Sequence, residues 1–303
     1  MTAFRRLDIP TGGSAYDRAS RCQVRSFTLT REQFERLQAE TPALIVEEGG
    51  GILVLRPFVE EHYLHYAFPD RDSFRRLFAP LLERALKAVD RQSYAGEIVL
   101  YYRDQPNRPF VEPVLFGCAF GLKGEWMEMA LAEVPPVEPR LPRGFAIRPW
   151  READLPQIIE VNTEAFGPGL SKIEAARRYV CGADALLVLE STAEGQVVGF
   201  VRLVAQRPAT GIIDDVAVRP AYQRRGLGEA LMRWALAWCR EQGLPRAKLE
   251  VYLDNAAALA LYRKLGFVPG PPGLTYRRPI DEEQVRRSLE KQRGTYIKFG
   301  GWR

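Results

Sequence analysis

In this chain of 303 residues, the groups best placed for chemistry fall in one stretch, Ile212 to Leu236. It opens as an apolar strand, IIDDVAV, that carries Asp214 and Asp215 side by side. Carboxylates in an apolar strand are costly unless they face a cleft or are hydrogen-bonded, so this pair is a candidate for holding a cation or taking a proton. Adjacent strand residues face opposite sides, so at most one of the two faces a substrate unless a bulge intervenes; Asp214 is slightly favoured. After Val218 a short loop leads into Gln223-Arg224-Arg225-Gly226-Leu227-Gly228-Glu229, which starts a helix. Gly226 and Gly228 allow a ligand to approach the backbone. The first-turn amides point outward unpaired, and with the positive end of the helix dipole they form an anion site.

The surrounding pattern shows which elements hold these groups. FAIRPW reads as a strand, Glu152 to Ala165 as a helix and Ser171 to Val180 as a second helix. Three strands follow at Ala185 to Ser191, Val197 to Ala205 and Gly211 to Val218. From Gly226 the spacing becomes helical, with Leu227, Leu231, Trp234, Ala235 and Trp238 on one face, and Gly243 and Pro245 end the run. A strand at Ala247 to Leu253 precedes a short helix capped by Asn255 and ending at Gly266, and closing strands lie around Phe267 to Ile280. Asp281 and Gln284 stand at capping-box spacing before a charged helix and an aromatic strand, TYIKF.

An internal repeat appears at a shift of about 150 positions. HYLHYAF from His62 falls on IIDDVAV from Ile212, LLERAL from Leu81 on LMRWAL from Leu231, and EIVLYY from Glu97 on KLEVYL from Lys248. ALIVEE from Ala43 resembles ALLVLES from Ala185, and LFGCAF from Leu115 resembles KLGF from Lys264. The halves are separated by VPPVEPRLPR, with four prolines, read as an extended linker. The expected organisation is therefore a mixed-sheet α/β (α+β) fold of two similar units, residues 1–137 and 138–280, followed by a tail, 281–303. At the repeat shift, Gly226 and Gly228 correspond to Arg76 and Phe78, whose side chains block backbone approach.

Composition removes several function classes. The only histidines are His62 and His65, which excludes a histidine-based triad and histidine-bearing zinc motifs in the second half; both are read as structural. The four cysteines are scattered without a C-x-x-C pair, so neither a disulfide framework nor a metal site is expected, and no histidine neighbours Cys181 or Cys239 to support a cysteine nucleophile. Lys plus Arg exceeds Asp plus Glu by 43 to 38, a small excess spread along the chain without a basic stripe, which argues only weakly for nucleic acid. No apolar run approaches the roughly 18 residues of a membrane span, and no signal peptide is evident, so a cytoplasmic location is expected. The third glycine of the dinucleotide fingerprint would fall at Leu231, and a Walker lysine is absent.

The Q-x-x-G-x-G turn, preceded by V-A-V-R-P and followed by N-x-x-A-x-x-L-Y-x-x-L-G-F at Asn255 to Phe267, resembles the GCN5-related N-acetyltransferase (GNAT) superfamily over Gly144 to about Arg278. The resemblance implies two GNAT-like αβ domains in tandem, the first degenerate and supplying one wall of the acceptor pocket. It implies acetyl-CoA as donor, without a metal. The pantetheine arm would pair with Val216, Ala217 and Val218, and the pyrophosphate would rest on the amides of Gln223 to Glu229. Asn255 matches a cofactor-contacting position, and Arg224 and Arg225 could add charge for the phosphates. Tyr262 matches the tyrosine near the thioester sulfur that serves as general acid. Acidic residues at Asp214 or Asp215 serve in the family to attract an amine cation or relay its proton through water. The histone-modifying branch carries its base at the position of Ile212, so that substrate class does not carry over. The expected activity is acetyl transfer to a primary amine of a small molecule in a ternary complex, with no nucleic-acid or membrane partner. The alternative is a CoA-binding regulatory module without turnover. A monomer with pseudo-dimeric domains and a homodimer are both compatible with the sequence.

Overall fold

The computed structural model describes residues 14–58, 61–89, 96–167, 179, 183–206, 209–281 and 283. The helix expected at Ser171 to Val180, Cys181 and the helix and strand expected after Asp281 lie almost wholly outside these residues. The chain forms two compact units, one of residues 1–125 with 272–303 and one of residues 126–271. The division therefore falls inside two strands and not in the proline-rich segment. The reason is strand pairing, described below for each unit by itself.

The first unit contains α1 (Ala15–Arg21), β1 (Val24–Ser26), α2 (Arg31–Glu40), β2 (Ile45–Glu48), β3 (Gly51–Phe58), β4 (Glu61–Phe68), α3 (Arg71–Lys87), β5 (Glu97–Tyr102) and α4 (Arg108–Gly117). Strands β2, β3 and β4 are antiparallel neighbours, and β4 runs parallel to β5. The sheet is completed from the far end of the chain, because Leu274 to Pro279 pair antiparallel with β5. One face is filled by α3 and α4, with Tyr66, Phe68, Phe74 and Phe78 at its centre. The other face packs Phe34 and Ala19 against Ile52, Val54 and Ala67. His62 and His65 are buried, and burial drives the imidazole of His65 down to about 3, so both are neutral side chains of the interior.

The second unit takes its first strand from β6 (Gly121–Leu131), whose residues Trp126 to Leu131 pair with β11 (Arg246–Tyr252). The remaining elements are β7 (Phe145–Pro149), α5 (Leu155–Phe166), β8 (Ala185–Ser191), β9 (Gln196–Gln206), β10 (Thr210–Val218), α6 (Leu227–Glu241), α7 (Ala256–Lys264) and the start of β12 (Val268–Pro279). Strands β7 to β10 are antiparallel in sequence order, while β10 and β11 are parallel. The apolar stripe of α6, Leu227, Leu231, Ala235 and Cys239, is buried on one side of this sheet with Ile213, Val218 and Leu249. Trp234 and Trp238, expected on that stripe, are only half-buried at its margin. Ile158 and Val161 of α5 pack on the opposite side against Phe200 and Ala217.

The internal repeat is visible in the hydrogen-bond register. In both units the parallel partners stand equally far apart in sequence, His62 opposite Ile98 in the first and Ile212 opposite Lys248 in the second. The chain is a mixed-sheet α/β protein built from two copies of one αβ unit.

Gly199 faces Val218 across the β9–β10 pair, and a Cβ there would sit 2.7 Å from the carbonyl oxygen of Ala217. Gly199→Ala is expected to destabilise the protein by about 1–3 kcal/mol through overpacking, lowering Tm by roughly 2–4 °C for each kcal/mol. Calorimetry of the variant checks this, and an unchanged Tm contradicts the close approach of the two strands.

Candidate active site

The site grows from a divergence of two strands. β10 and β11 stay in register only at Thr210–Arg246, Gly211–Ala247 and Ile212–Lys248. On the other side β10 remains bonded to β9 as far as Val218. Among the described residues no strand pairs with Val216 to Val218 on the β11 side, so backbone groups on that edge are available to an extended ligand.

A β-bulge accompanies the divergence. The register of β10 against β9 shifts between Ile213 and Asp215, leaving Asp214 as the extra residue. The bulge reverses the alternation of the strand. Ile213 is buried on the α6 side and Ala217 on the α5 side, although an even spacing would put them on one face. Asp215 shares the parity of Ala217, and Asp214 ion-pairs with Arg202 of β9, which is almost fully buried. Arg202 has the parity of Phe200 and so belongs to the same α5 side. Sequence reasoning missed Arg202. Its only signal was an arginine inside the apolar run VVGFVRLVA, which demands a buried acidic partner.

Beyond Val218 the loop is tied down at both ends. Arg219 donates its backbone N–H to Val198 O at 2.8 Å, and its guanidinium reaches Val197 O, Glu160 and Glu164. Glu164, placed by sequence at the first helix, is thereby engaged in an ion pair. The Gln223 side chain donates Nε2–H to Val218 O at 3.0 Å, which folds the turn back on the strand end. Arg224 and Gly226 both have positive φ, 64° and 79°. Left-handed residues alternating with right-handed ones turn successive N–H groups inward as an anion-binding nest. Arg225 stacks its guanidinium 5.1 Å from the Tyr222 ring centroid.

Gly226 is the N-cap of α6 and supplies no side-chain acceptor. The N–H groups of Leu227, Gly228 and Glu229 precede the first intrahelical bond, Ala230 N–H to Gly226 O, and so remain directed out of the helix. Side chains cap α1, α2, α3 and α7, while α4 and α5 share with α6 the lack of a side-chain cap. Glu229 lies in this first turn, but its charge is offset by Lys264 at 2.5 Å and Arg233 at 2.9 Å, whose hydrogen bonds hold the carboxyl below its ordinary range. Beside the helix start lies a cavity of about 640 Å³, walled by Pro136, Val137 and Leu141 of the proline-rich segment and by Gly226, Ala230 and Arg233.

Asn255 caps α7 by accepting from Ala258 N–H at 3.1 Å, as expected, and its amide nitrogen makes no hydrogen bond among the described residues. Tyr262 lies on α7, 8% exposed, with its ring 6.0 Å from Phe267. Burial pushes its phenol up to about 12. Among the described residues no group of histidine, cysteine, aspartate or glutamate side chains could hold a metal.

Residues 155–267 match the acetyltransferase (GNAT) family model. The second unit is a GNAT-family domain. A mycothiol acetyltransferase of Saccharomonospora viridis is 37% identical over 159 residues, covering 46% of this chain and 51% of that protein. A mycothiol acetyltransferase of Nocardia farcinica is 30% identical over 185 residues, covering 56% and 61%. The chain thus spans about half the length of the curated relatives it matches. Among solved structures, a GCN5-related N-acetyltransferase from Sphaerobacter thermophilus aligns with TM-score 0.59, 20% identity and 76% of both chains covered. A tandem GNAT protein from the clavulanic acid biosynthesis pathway aligns with TM-score 0.56 and 16% identity, covering 78% of this chain and 82% of that one. The two αβ units are accordingly GNAT folds in tandem.

The two glycines of the GNAT turn make different demands. Gly226 needs a left-handed backbone, while a Cβ added there meets nothing within 4 Å. Gly228 is helical, and its added Cβ would make an ordinary 3.7 Å contact with Leu261. Gly226→Ala is therefore expected to cost about 1–2 kcal/mol, whereas Gly228→Ala is expected to raise stability by up to about 1 kcal/mol. Thermal unfolding of the two variants should shift Tm in opposite directions.

Proposed function

We propose that the second unit transfers an acetyl group from acetyl-CoA to a primary amine of a small molecule, by direct attack in a ternary complex. One observation carries this reading: the bare backbone edge of Val216 to Val218 leads, through the loop that starts at Arg219, to an uncapped helix start with left-handed residues at Arg224 and Gly226. An amide-bearing arm is matched by the first feature and a diphosphate by the second. Gln223, Arg224, Arg225, Leu227, Gly228 and Glu229 line that turn, Asn255 presents its amide nitrogen to the same donor molecule, and the cavity beside α6 is suited to the nucleotide end. The mycothiol acetyltransferase relatives support acyl transfer and a small-molecule acceptor.

The chemistry forms a C–N bond and breaks a C–S bond. The carboxylates of Asp214 and Asp215 draw the acceptor's ammonium to the α5 side and take its proton through solvent, with Arg202 fixing Asp214. Tyr262 acts on the departing sulfur. Its phenol, at about 12, keeps its proton throughout the neutral range, whereas a thiol titrates near about 8.5. The tyrosine therefore stabilises the thiolate by donating a hydrogen bond, and solvent completes the protonation.

Thiol release with a panel of amines tests the activity; acetyl-CoA binding without release in any of them would make the unit a regulatory CoA-binding module instead. Tyr262→Phe is expected to lower kcat about 10²-fold, the usual cost of one transition-state donor, with acetyl-CoA affinity unchanged within about twofold. The raised phenol sets the sign of the pH profile: the wild-type rate climbs with the fraction of neutral amine and does not fall between about pH 7 and pH 10. A falling limb in that window overturns the role given to Tyr262.

A further inference from the structure

The two units treat the same strand edge differently. At the 150-position shift, Tyr66, Ala67 and Phe68 of β4 are the counterparts of Val216, Ala217 and Val218. In the first unit that edge is taken: β1 pairs antiparallel with it, Ser26 opposite Tyr66, Arg25 opposite Ala67 and Val24 opposite Phe68. The parallel register of β4 with β5 ends at Tyr63–Val99, so β1 enters where the two strands part. It is fastened to both sides of the gap. Ser26 donates its hydroxyl to Tyr101 O of β5 at 2.8 Å, and Asn107 donates its side-chain amide to Gln23 O at 3.2 Å. Val24 is fully buried in the core that also holds Phe68 and Phe74.

The helix terminus is taken as well. Only Pro69 and Asp70 connect β4 to α3, where eight residues, Arg219 to Gly226, connect β10 to α6. Asp70 caps α3 by accepting from Ser73 N–H at 2.7 Å, and that bond holds its carboxyl below the ordinary carboxylate range. A fixed carboxylate stands at the helix start, where an incoming diphosphate would meet like charge.

We infer that β1 is a built-in peptide substitute for the acyl-CoA arm: the first unit's cleft recognises an extended backbone segment, its own residues Val24 to Ser26 fill it, and the chain binds one acetyl-CoA, in the second unit. The inference rests on Val216 to Val218 being the acyl-CoA edge for its stoichiometry, but the closure of the first cleft stands on its own pairing. Strand complementation explains why loss of the glycine turn leaves no exposed edge in the first unit.

Hydrogen–deuterium exchange of the full chain with and without acetyl-CoA, together with calorimetric titration, tests it. Peptides covering Tyr66 to Phe68 should exchange slowly in the free protein and remain unchanged on adding acetyl-CoA, while those covering Val216 to Val218 should start fast and slow by at least about tenfold, with one equivalent bound. Two equivalents bound, or new protection at Tyr66 to Phe68, overturns the inference. Absence of any acetyl-CoA binding with Tyr66 to Phe68 still slow removes the proposed function and leaves the closed cleft intact. Arg25→Pro, which breaks β1 at its centre, should speed exchange at Tyr66 to Phe68 at least about tenfold while acetyl-CoA affinity stays within about twofold. Unaltered exchange in that variant means that β1 does not cover the edge.

Discussion

Everything at the site depends on β10 and β11 parting after three paired residues. Backbone donors and acceptors inside a sheet must find partners, and an open edge invites one. Here the exposed edge continues, through a loop of eight residues, into a helix whose first N–H groups have no side-chain cap. Two sets of unsatisfied backbone groups of different character thus lie end to end. The strand edge favours an extended chain of amides, and the helix terminus favours negative charge. A ligand with both features recovers more than either set could provide separately. Arg224 shapes the turn through its left-handed backbone, and Arg225 stacks on Tyr222.

The bulge at Asp214 is the second consequence of that divergence. It changes strand parity between Ile213 and Ala217, which lets the same strand bury apolar residues beneath α6 and present carboxylates on the α5 side. A buried arginine is expensive without a partner, and Arg202 meets its need with Asp214. Removing Asp214 therefore does more than delete a carboxylate, because it also takes an ion pair from the buried guanidinium of Arg202. Functional effects at Asp214 and Asp215 separate only when Arg202 is altered in the same series, a double-mutant cycle in the ordinary sense.

Much of this was readable from spacing. The parallel partners stand equally far apart in sequence in the two units, the order of elements in the second unit agrees with the periodicity, and the glycine turn opens a helix as its residues require. Local signals carried those readings: alternation for strands, a glycine N-cap and the Asn255 cap of α7. Features set by distant pairing were not readable. Nothing in Gly121 to Leu131 says that its second half will bond to β11, more than 110 positions away, nor that Leu274 to Pro279 will return to β5. The proline-rich segment looked like a boundary because it is extended, yet Val134 N–H bonds Pro245 O, Arg240 bonds Val134 O and the segment walls a cavity. Arg202 was hidden for a related reason, since its partner is placed by a bulge whose presence depends on cross-strand register.

The exchange of closing strands gives the duplication its physical meaning. Each unit obtains the strand beside its parallel pair from the other half of the sequence: Trp126 to Leu131 for β11, and Leu274 to Pro279 for β5. Met129 and Leu131 are core residues of the second unit, and Leu274 and Tyr276 of the first. Neither half-sequence can therefore complete its own sheet, and a cut in the proline-rich segment would strip β11 of six paired residues. Such a constraint preserves the first copy whether or not it retains a cleft. Only Pro69 and Asp70 connect β4 to α3, and the edge of β4 beside them is satisfied by β1. A unit that must be kept for its strand is free to lose its ligand, provided that the exposed backbone is satisfied by some other means.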